Sequence, residues 1–391
     1  MKILLVHNFY LQPGGEDRVF LTEGALLEKR GHQVARYTVH NRDTADYGKL
    51  SLLQKTVWNG TTYRNIRSLV KKERPSVIHF HNIFPIISPS AYYAAKEEGV
   101  PVVQTLHNYR LLCPSAILFR DGAPCEDCVR KPVPWPGVVH HCYKDSVAHS
   151  GAVAAMLAFH RAVRTWETEV KTYIVMTEFS RKKFIEGGLP AEKLRVKPHF
   201  LDTDPCVGKG QGDYALFVGR LSIEKGVETL LNAWEELGNT LKLKIVGDGP
   251  LAPKVSQASH ANPSIEWLGS KSPHEVYALM GDAACLIFPS QWYETFGLVV
   301  VEAFACGTPV IASRIGGIEE IVEHAKTGLL FRPGDQRDLA RQILWLKRNP
   351  QQLSQMRQEA RSCFLSKYSS PCGYERLMAI YQDAIGNSST S

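Results

Sequence analysis

The chain of 391 residues has no apolar run long enough to cross a bilayer. Its apolar runs are short, strand-like pieces such as Cys285-Leu286-Ile287-Phe288, whereas a spanning helix needs about 20 residues. A secretory leader is also missing from the reading: the apolar run of Met1-Lys2-Ile3-Leu4-Leu5-Val6-His7 breaks at once, and no small-residue cleavage site follows. That segment is read as a first buried strand, and the protein as cytosolic. There is no repeat of fixed period, and no low-complexity tract beyond the polar tail Asn387–Ser391. Two nucleotide signatures are absent as well. No G-x-G-x-x-G follows the first strand and no Walker lysine motif occurs, which removes dinucleotide dehydrogenases and P-loop enzymes.

What is present is globular composition, 44% apolar with 22% charged residues, at a length that suits two domains rather than one. Short β-branched runs alternate with amphipathic stretches. In the first half strands are expected at Lys2–Val6, Gln33–Val39, Ser76–Phe80, Pro101–Leu106 and Thr172–Met176. Helices at Glu16–Arg30 and Ala91–Glu98 end before Gly31 and Gly99, the residue type that closes helices. In the second half strands are expected at Tyr214–Val218, Lys242–Val246, Ser264–Trp267, Ala284–Phe288 and Pro309–Ala312. Helices fall between them near 224–237, 273–280, 297–306 and 335–347. Such alternation makes βαβ units and parallel sheets. The fold class is α/β: two doubly wound, Rossmann-like parallel-sheet domains, spanning 1–202 and 203–370, joined through the proline-flanked stretch Lys197–Pro205.

Charge is divided unevenly. Residues 1–202 carry 28 Lys+Arg against 19 Asp+Glu and hold 11 of the 14 histidines, while the remainder is slightly acidic. A basic domain implies an anionic partner: membrane surface, phosphorylated substrate or nucleic acid.

The most informative stretch runs from Phe288 through Glu294-Thr295-Phe296-Gly297-Leu298 to Glu302. A strand ends, a loop holds Glu294, and a helix opens near Gly297 with Glu302 inside it, roughly 10 Å along the axis. The helix N-terminus between the carboxylates offers free N–H groups to an anion, and Gly297 lets a ligand approach the backbone. Hydroxyls on either side of a diphosphate match this layout, as in a nucleotide sugar. Arg220 and Lys225, in the turn after strand Tyr214–Val218, stand where parallel sheets bind ligands and supply cations for a leaving diphosphate without Mg²⁺. Gly247 lies in a further strand-end turn, Gly247-Asp248-Gly249-Pro250. In the first half, Gly14 and Gly15 open a helix after the first strand, and His107 ends strand Pro101–Leu106. His79 and His81 are read as packing or supporting groups.

These residues together resemble the family 4 retaining glycosyltransferases of the GT-B fold. The resemblance rests on Pro13-Gly14-Gly15, His107, Gly219-Arg220 with Lys225-Gly226, Gly247-Asp248-Gly249-Pro250, and the Glu294-x7-Glu302 pair. It implies two domains facing a cleft, with a donor nucleotide on the second and an acceptor on the first. Arg220 and Lys225 would grip the diphosphate, Glu302 the ribose and Glu294 the donor-sugar hydroxyls. Gly14 and Gly15 would close over the phosphates, and His107 would contact the donor sugar near its reacting carbon. Phe296, Gly297 and Leu298 belong to the same substrate-binding loop. The resemblance further implies retention, catalysis without metal, and a last segment, 371–391, that returns to the first domain. The sequence departs from the family pattern at Asn108, where Asp is frequent, and in its linker.

Between His107 and the next strand lies an insertion, 109–146, rich in proline and carrying Cys113-x11-Cys125-x2-Cys128-x13-Cys142. A C-x2-C pair flanked by two further cysteines suits a structural tetrahedral zinc; unliganded or redox thiols and disulfides are the alternatives. The other five cysteines are read as buried apolar residues. The stretch Tyr63–Lys72 reads as an amphipathic helix with a solvated face or as one lying on anionic lipid; Val147–Val163 reads as a small-residue helix packed near the cleft. The expected function is transfer of a UDP- or GDP-activated sugar to a hydroxyl acceptor, in synthesis of a bacterial cell-surface polysaccharide or glycolipid, at or near the inner membrane face. Its rivals are a nucleotide-sugar 2-epimerase and a zinc-stabilised nucleic-acid-binding protein. The latter lacks the interleaved aromatic platforms that single strands require, so no nucleic-acid partner is expected.

Overall fold

A computed structural model describes residues 1–12 and 14–386. Pro13 of the glycine turn and the tail Asn387–Ser391 lie outside the described residues. The strands are β1 (Lys2–Phe9), β2 (Gln33–His40), β3 (Val77–Phe80), β4 (Val102–Thr105), the short hairpin β5 (Phe119–Arg120) and β6 (Ala123–Pro124), β7 (Thr172–Val175) and β8 (Leu194–Val196). They continue with β9 (Tyr214–Val218), β10 (Lys242–Val246), β11 (Ile265–Trp267), β12 (Cys285–Phe288), β13 (Val310–Ser313) and β14 (Gly328–Phe331). Twelve of them form two six-stranded sheets, ordered β2-β1-β3-β4-β7-β8 and β11-β10-β9-β12-β13-β14, with every neighbouring pair in these two sheets parallel.

Contacts divide the chain into two units. One comprises Met1–Leu118, Glu126–His199 and the chain from Gly373 on; the other comprises Phe119–Cys125 and Phe200–Cys372. In the first, Ile3 to Val6 of β1 are fully buried, which is why that strand reads as an unbroken apolar run: both faces of a parallel sheet are covered. Ile3, Leu5, Phe20, Val77, Val103 and Ile174 pack against Leu377, Ile380, Tyr381 and Ala384 of the final helix Ser370–Gly386. In the second, helix Val227–Leu237 buries Val227, Leu230, Leu231 and Trp234 on the sheet, each large side chain contributing about 1.5–3 kcal/mol. Trp234 meets its polar obligation by donating Nε1–H to the Leu241 carbonyl at 2.8 Å.

The expected strands and helices are all present with ends shifted by at most three residues, and glycine does close the two first-half helices, at φ 84° for Gly31 and 70° for Gly99. Sequence reading passed over β8, β14 and the hairpin. The first two are runs of three and four residues at sheet edges. The helix expected at 63–72 spans Gly60–Glu73 and buries Ile66 and Val70, while Arg67 and Lys71 pair with Glu98. Cys285, Cys306 and Cys363 are buried as expected, but Cys372 is half-buried near the start of the last helix and Cys206 is exposed, because it sits in the loop ahead of β9.

Candidate functional site

In the second unit the strand order reverses between β9 and β12, the switch point where parallel sheets leave a crevice at their C-terminal ends. Arg220 follows β9 and is exposed. The chain then makes a single turn at Ile223–Lys225 before the helix Val227–Leu237. The loop after β12 is tied to that turn, since Gln291 N–H donates to the Glu224 carbonyl at 2.8 Å and Gln291 Nε2 to Thr229 Oγ1 at 2.7 Å. The tie brings Lys225 and Glu294, 69 residues apart, into an ion pair of 2.5 Å. Glu294 is 5% exposed, and its Oε1 accepts from three donors: Lys225 Nζ, Ser290 Oγ (2.9 Å) and Trp292 Nε1 (2.9 Å). The Lys225 ammonium lies 5.2 Å from the Trp292 ring centre. The cation and carboxylate expected to hold different parts of a substrate therefore neutralise one another here.

Two glycines are required by geometry. Gly297 has φ 87° and caps helix Leu298–Ala305, leaving the first helical N–H groups directed out of the helix end. Gly247 has φ 138°, and a Cβ there would stand 1.9 Å from the Gly219 carbonyl oxygen, so the β9 and β10 turns can nest only without a side chain. Within the helix, Glu302 is buried and its Oε1 accepts from Tyr277 OH at 3.3 Å. Phe296 is buried, with its ring edge-on to Tyr368 at 5.8 Å, and Leu298 is half-buried at the helix start.

The first unit holds a buried polar core behind β1, β3 and β4. Gly14 is extended and exposed; its N–H donates to Asp17 Oδ2 at 3.0 Å, and Gly15 begins the helix Gly15–Lys29. Asp17 Oδ1 also holds His7 Nε2 at 2.7 Å. His107, just past β4, is buried, with its Nε2 3.0 Å from His81 Nδ1 and its ring stacked on His199 at 5.3 Å. Burial, and then the nearby cationic and imidazole groups, hold the His107 and His81 rings well below the usual histidine range, and His79 is pushed down to about 3 by burial and Lys197. These rings are neutral at physiological pH.

Glu23, His79 and His81 bring ligand atoms within 4.8 Å of one another, a spacing that a metal could use. Their chemistry argues otherwise. The Lys197 ammonium lies 2.6 Å from Glu23 Oε1, and both ring nitrogens of His79 are taken, by Tyr381 OH and Thr105 Oγ1 at 2.7 Å each. A fixed cation at the only carboxylate disfavours a second one.

Beside His107 a cavity of about 50 Å³ is lined by Glu16, Phe84, Tyr92, His107, Asn108 and Arg110, among others. Asn108 Nδ2 donates to Glu16 Oε1 at 2.6 Å, while Glu16 Oε2 and Arg110 Nε are buried without a hydrogen-bond partner. Burial pushes the Glu16 carboxyl up to about 7, against the lowering effect of Asn108 and Tyr10. Arg110 is held between the rings of Phe84 and Tyr143. Sequence reading missed Glu16 and Arg110; Glu16 directly after the double glycine was the one available signal.

Cys113 and Cys128 are buried, Cys125 and Cys142 half-buried. Cys125 follows β6 directly, so the hairpin leads straight into the C-x2-C pair.

Residues 13–205 match the family model described as Glycosyltransferase Family 4, and residues 207–362 match Glycosyl transferases group 1. N-acetyl-alpha-D-glucosaminyl L-malate synthase of Bacillus anthracis is 30% identical over 98% of this chain and 98% of its own. The chain belongs to the family 4 glycosyltransferases. An uncharacterised glycosyltransferase of Methanocaldococcus jannaschii is 41% identical over 36% of this chain, and the sulfoquinovosyl transferase of Arabidopsis thaliana 33% identical over 34%. The chain spans only 40% and 26% of those two relatives' lengths. Among solved structures, Anabaena HepE in complex with UDP and glucose superposes with a TM-score of 0.71 at 18% identity, covering 98% of this chain and 100% of that one. Sucrose-phosphate synthase from Thermosynechococcus elongatus gives 0.71 at 18%, covering 99% of each. At these identities the likeness establishes the fold, and the architecture of this family member is GT-B.

Proposed function

We propose that the protein transfers a sugar from a UDP- or GDP-activated donor to a hydroxyl acceptor, with retention and without a catalytic metal. The observation that carries this reading is the Lys225–Glu294 pair at the switch point, beside a helix start opened by Gly297. Lys225 and the exposed Arg220 would take the two phosphates, together with N–H groups at Leu298 and its neighbour. Diphosphate binding draws Lys225 from Glu294 and frees that carboxylate, still oriented by Ser290 and Trp292, to accept from donor-sugar hydroxyls. Glu302 would hold the ribose, Phe296 and Gly247 the walls around it. In the first unit, Gly14 and Gly15 would meet the phosphates and neutral His107 a donor-sugar hydroxyl. The acceptor reading falls on the cavity beside His107, where Glu16 and Arg110 offer an acceptor and a donor to a hydroxyl-bearing group. HepE's complexes with UDP and UDP-glucose support a UDP-sugar donor.

A structural zinc on Cys113, Cys125, Cys128 and Cys142 is proposed on the thiol chemistry of the C-x2-C pair and its two flanking cysteines. It would brace the insertion and takes no part in transfer. A cell-surface glycan or glycolipid acceptor is proposed on the basic first half.

The test is a thermal-shift panel of UDP, GDP, ADP and CDP. The matching diphosphate at 100 times its Kd should stabilise by about 2.7 kcal/mol, and Lys225→Ala should abolish the shift. No response to any diphosphate would overturn the reading. Product analysis without acceptor separates transfer from epimerisation.

A further inference from the structure

The helix Val147–Ala162 is apolar on two sides. Ser146 caps it by accepting from His149 N–H. One side buries Val153, Met156 and Leu157, and His160 there bonds Thr165 Oγ1 and the Val57 carbonyl, each at 2.8 Å. At 100° per residue, Ala148, Ala152, Ala155, Phe159 and Ala162 share the opposite side. That side meets solvent: Ala148, Ala155, Phe159 and Ala162 are exposed, Phe159 at 46%. A surface helix ordinarily carries charged and polar residues there, and this face carries none.

The short helix Trp135–Val139 packs on helix Val147–Ala162 and exposes two further apolar side chains, Trp135 by 56% and Val139 by 60%. The same segment carries cations. Arg130 and Lys144 are exposed, and the Lys131 ammonium lies 5.6 Å from the Trp135 ring centre. Residues 129–164 hold five Lys+Arg and one acidic residue, Asp145; of the five, Arg164 is paired with Glu167. No helix among the described residues is long and apolar enough to cross a membrane.

We propose that this face docks on an anionic lipid surface, with Phe159, Trp135 and Val139 entering the boundary between headgroups and acyl chains while Arg130, Lys131 and Lys144 meet lipid phosphates. Aromatic and aliphatic side chains without polar anchors, with cations in the same segment, suit an in-plane contact with such a surface. A second copy of the chain is a poor occupant, because it would set one cationic segment against another with a single acid to offset them. The inference stands apart from the sugar-transfer reading, since binding to vesicles needs no substrate.

The test is co-sedimentation of the full chain with phosphatidylglycerol–phosphatidylcholine vesicles and with pure phosphatidylcholine vesicles, at about 0.1 M salt. Binding is expected on the anionic vesicles and should fall about tenfold on neutral ones. Phe159→Ser and Trp135→Ser, both at exposed positions, should each weaken it about fivefold or more. Lys131→Glu with Lys144→Glu should weaken it at least as much, with melting temperatures unchanged. Absence of binding to anionic vesicles, or equal binding by the variants, would overturn the proposal. So would a dimer in solution that the same substitutions dissolve.

Discussion

Lys197 and Glu23 form an ion pair of 2.6 Å in which both side chains are essentially sealed from solvent, 0% and 1% exposed. The second carboxylate oxygen faces His79 Nδ1 at 3.8 Å and His81 Nε2 at 3.6 Å, and both imidazoles are held neutral. Replacing Lys197 by Met removes the cation while keeping the aliphatic volume, and it strands a carboxylate among groups that do not carry charge. Breaking a buried pair in this way costs about 3–5 kcal/mol, whereas replacing both partners by apolar residues is close to neutral. A unit of roughly 200 residues loses about 2–4 °C per kcal/mol, so Lys197→Met should lower the first unit's melting temperature by roughly 6–20 °C. Glu23→Leu with Lys197→Met should recover most of that loss. Scanning calorimetry on wild type, both single variants and the double variant gives the cycle. If Lys197→Met cost under about 1 kcal/mol and the double variant were no better than the singles, the pair would not be the desolvated contact described here.

Glu294→Gln and Lys225→Ala should each lower kcat/KM by about 10²–10³, measured as nucleoside diphosphate release. Folding should survive in Lys225→Ala because Ser290 and Trp292 still satisfy Glu294. Glu16 titrates at about 7 in the fold against an ordinary value of 4.5, so the folded state binds the extra proton. Stability from this group is complete below pH 4.5 and is lost as pH rises through about 7, by at most ~3 kcal/mol. Glu16→Gln should flatten that window in pH-dependent urea melts and raise the acceptor KM above pH 7. Metal analysis of the purified protein should find about one zinc per chain, and Cys125→Ser with Cys128→Ser should remove it without loss of nucleoside diphosphate binding.

Both sheets' main strands, and the residue types at their ends, were legible along the chain. Strand signals were local: Ile3-Leu4-Leu5-Val6 reads as buried because its neighbours in the chain already exclude a solvated face, and Gly31 and Gly99 mark helix ends through their own φ. The Glu294-x7-Glu302 spacing was legible for the same reason, as a loop residue and a helix residue on one short segment. Where contacts join distant segments, sequence carried no signal. Glu23 meets Lys197 across 174 residues and His79 meets Tyr381 across 302, because strand order, which no periodicity encodes, places β1, β3 and the last helix together. Likewise Lys225 was read as a phosphate ligand, but only the loop tie through Gln291 showed that it rests on Glu294. The outward apolar face of helix Val147–Ala162 was decided by tertiary structure too. Apolar residues lie on both of its sides, and only packing selects which side is buried and which is left for a partner.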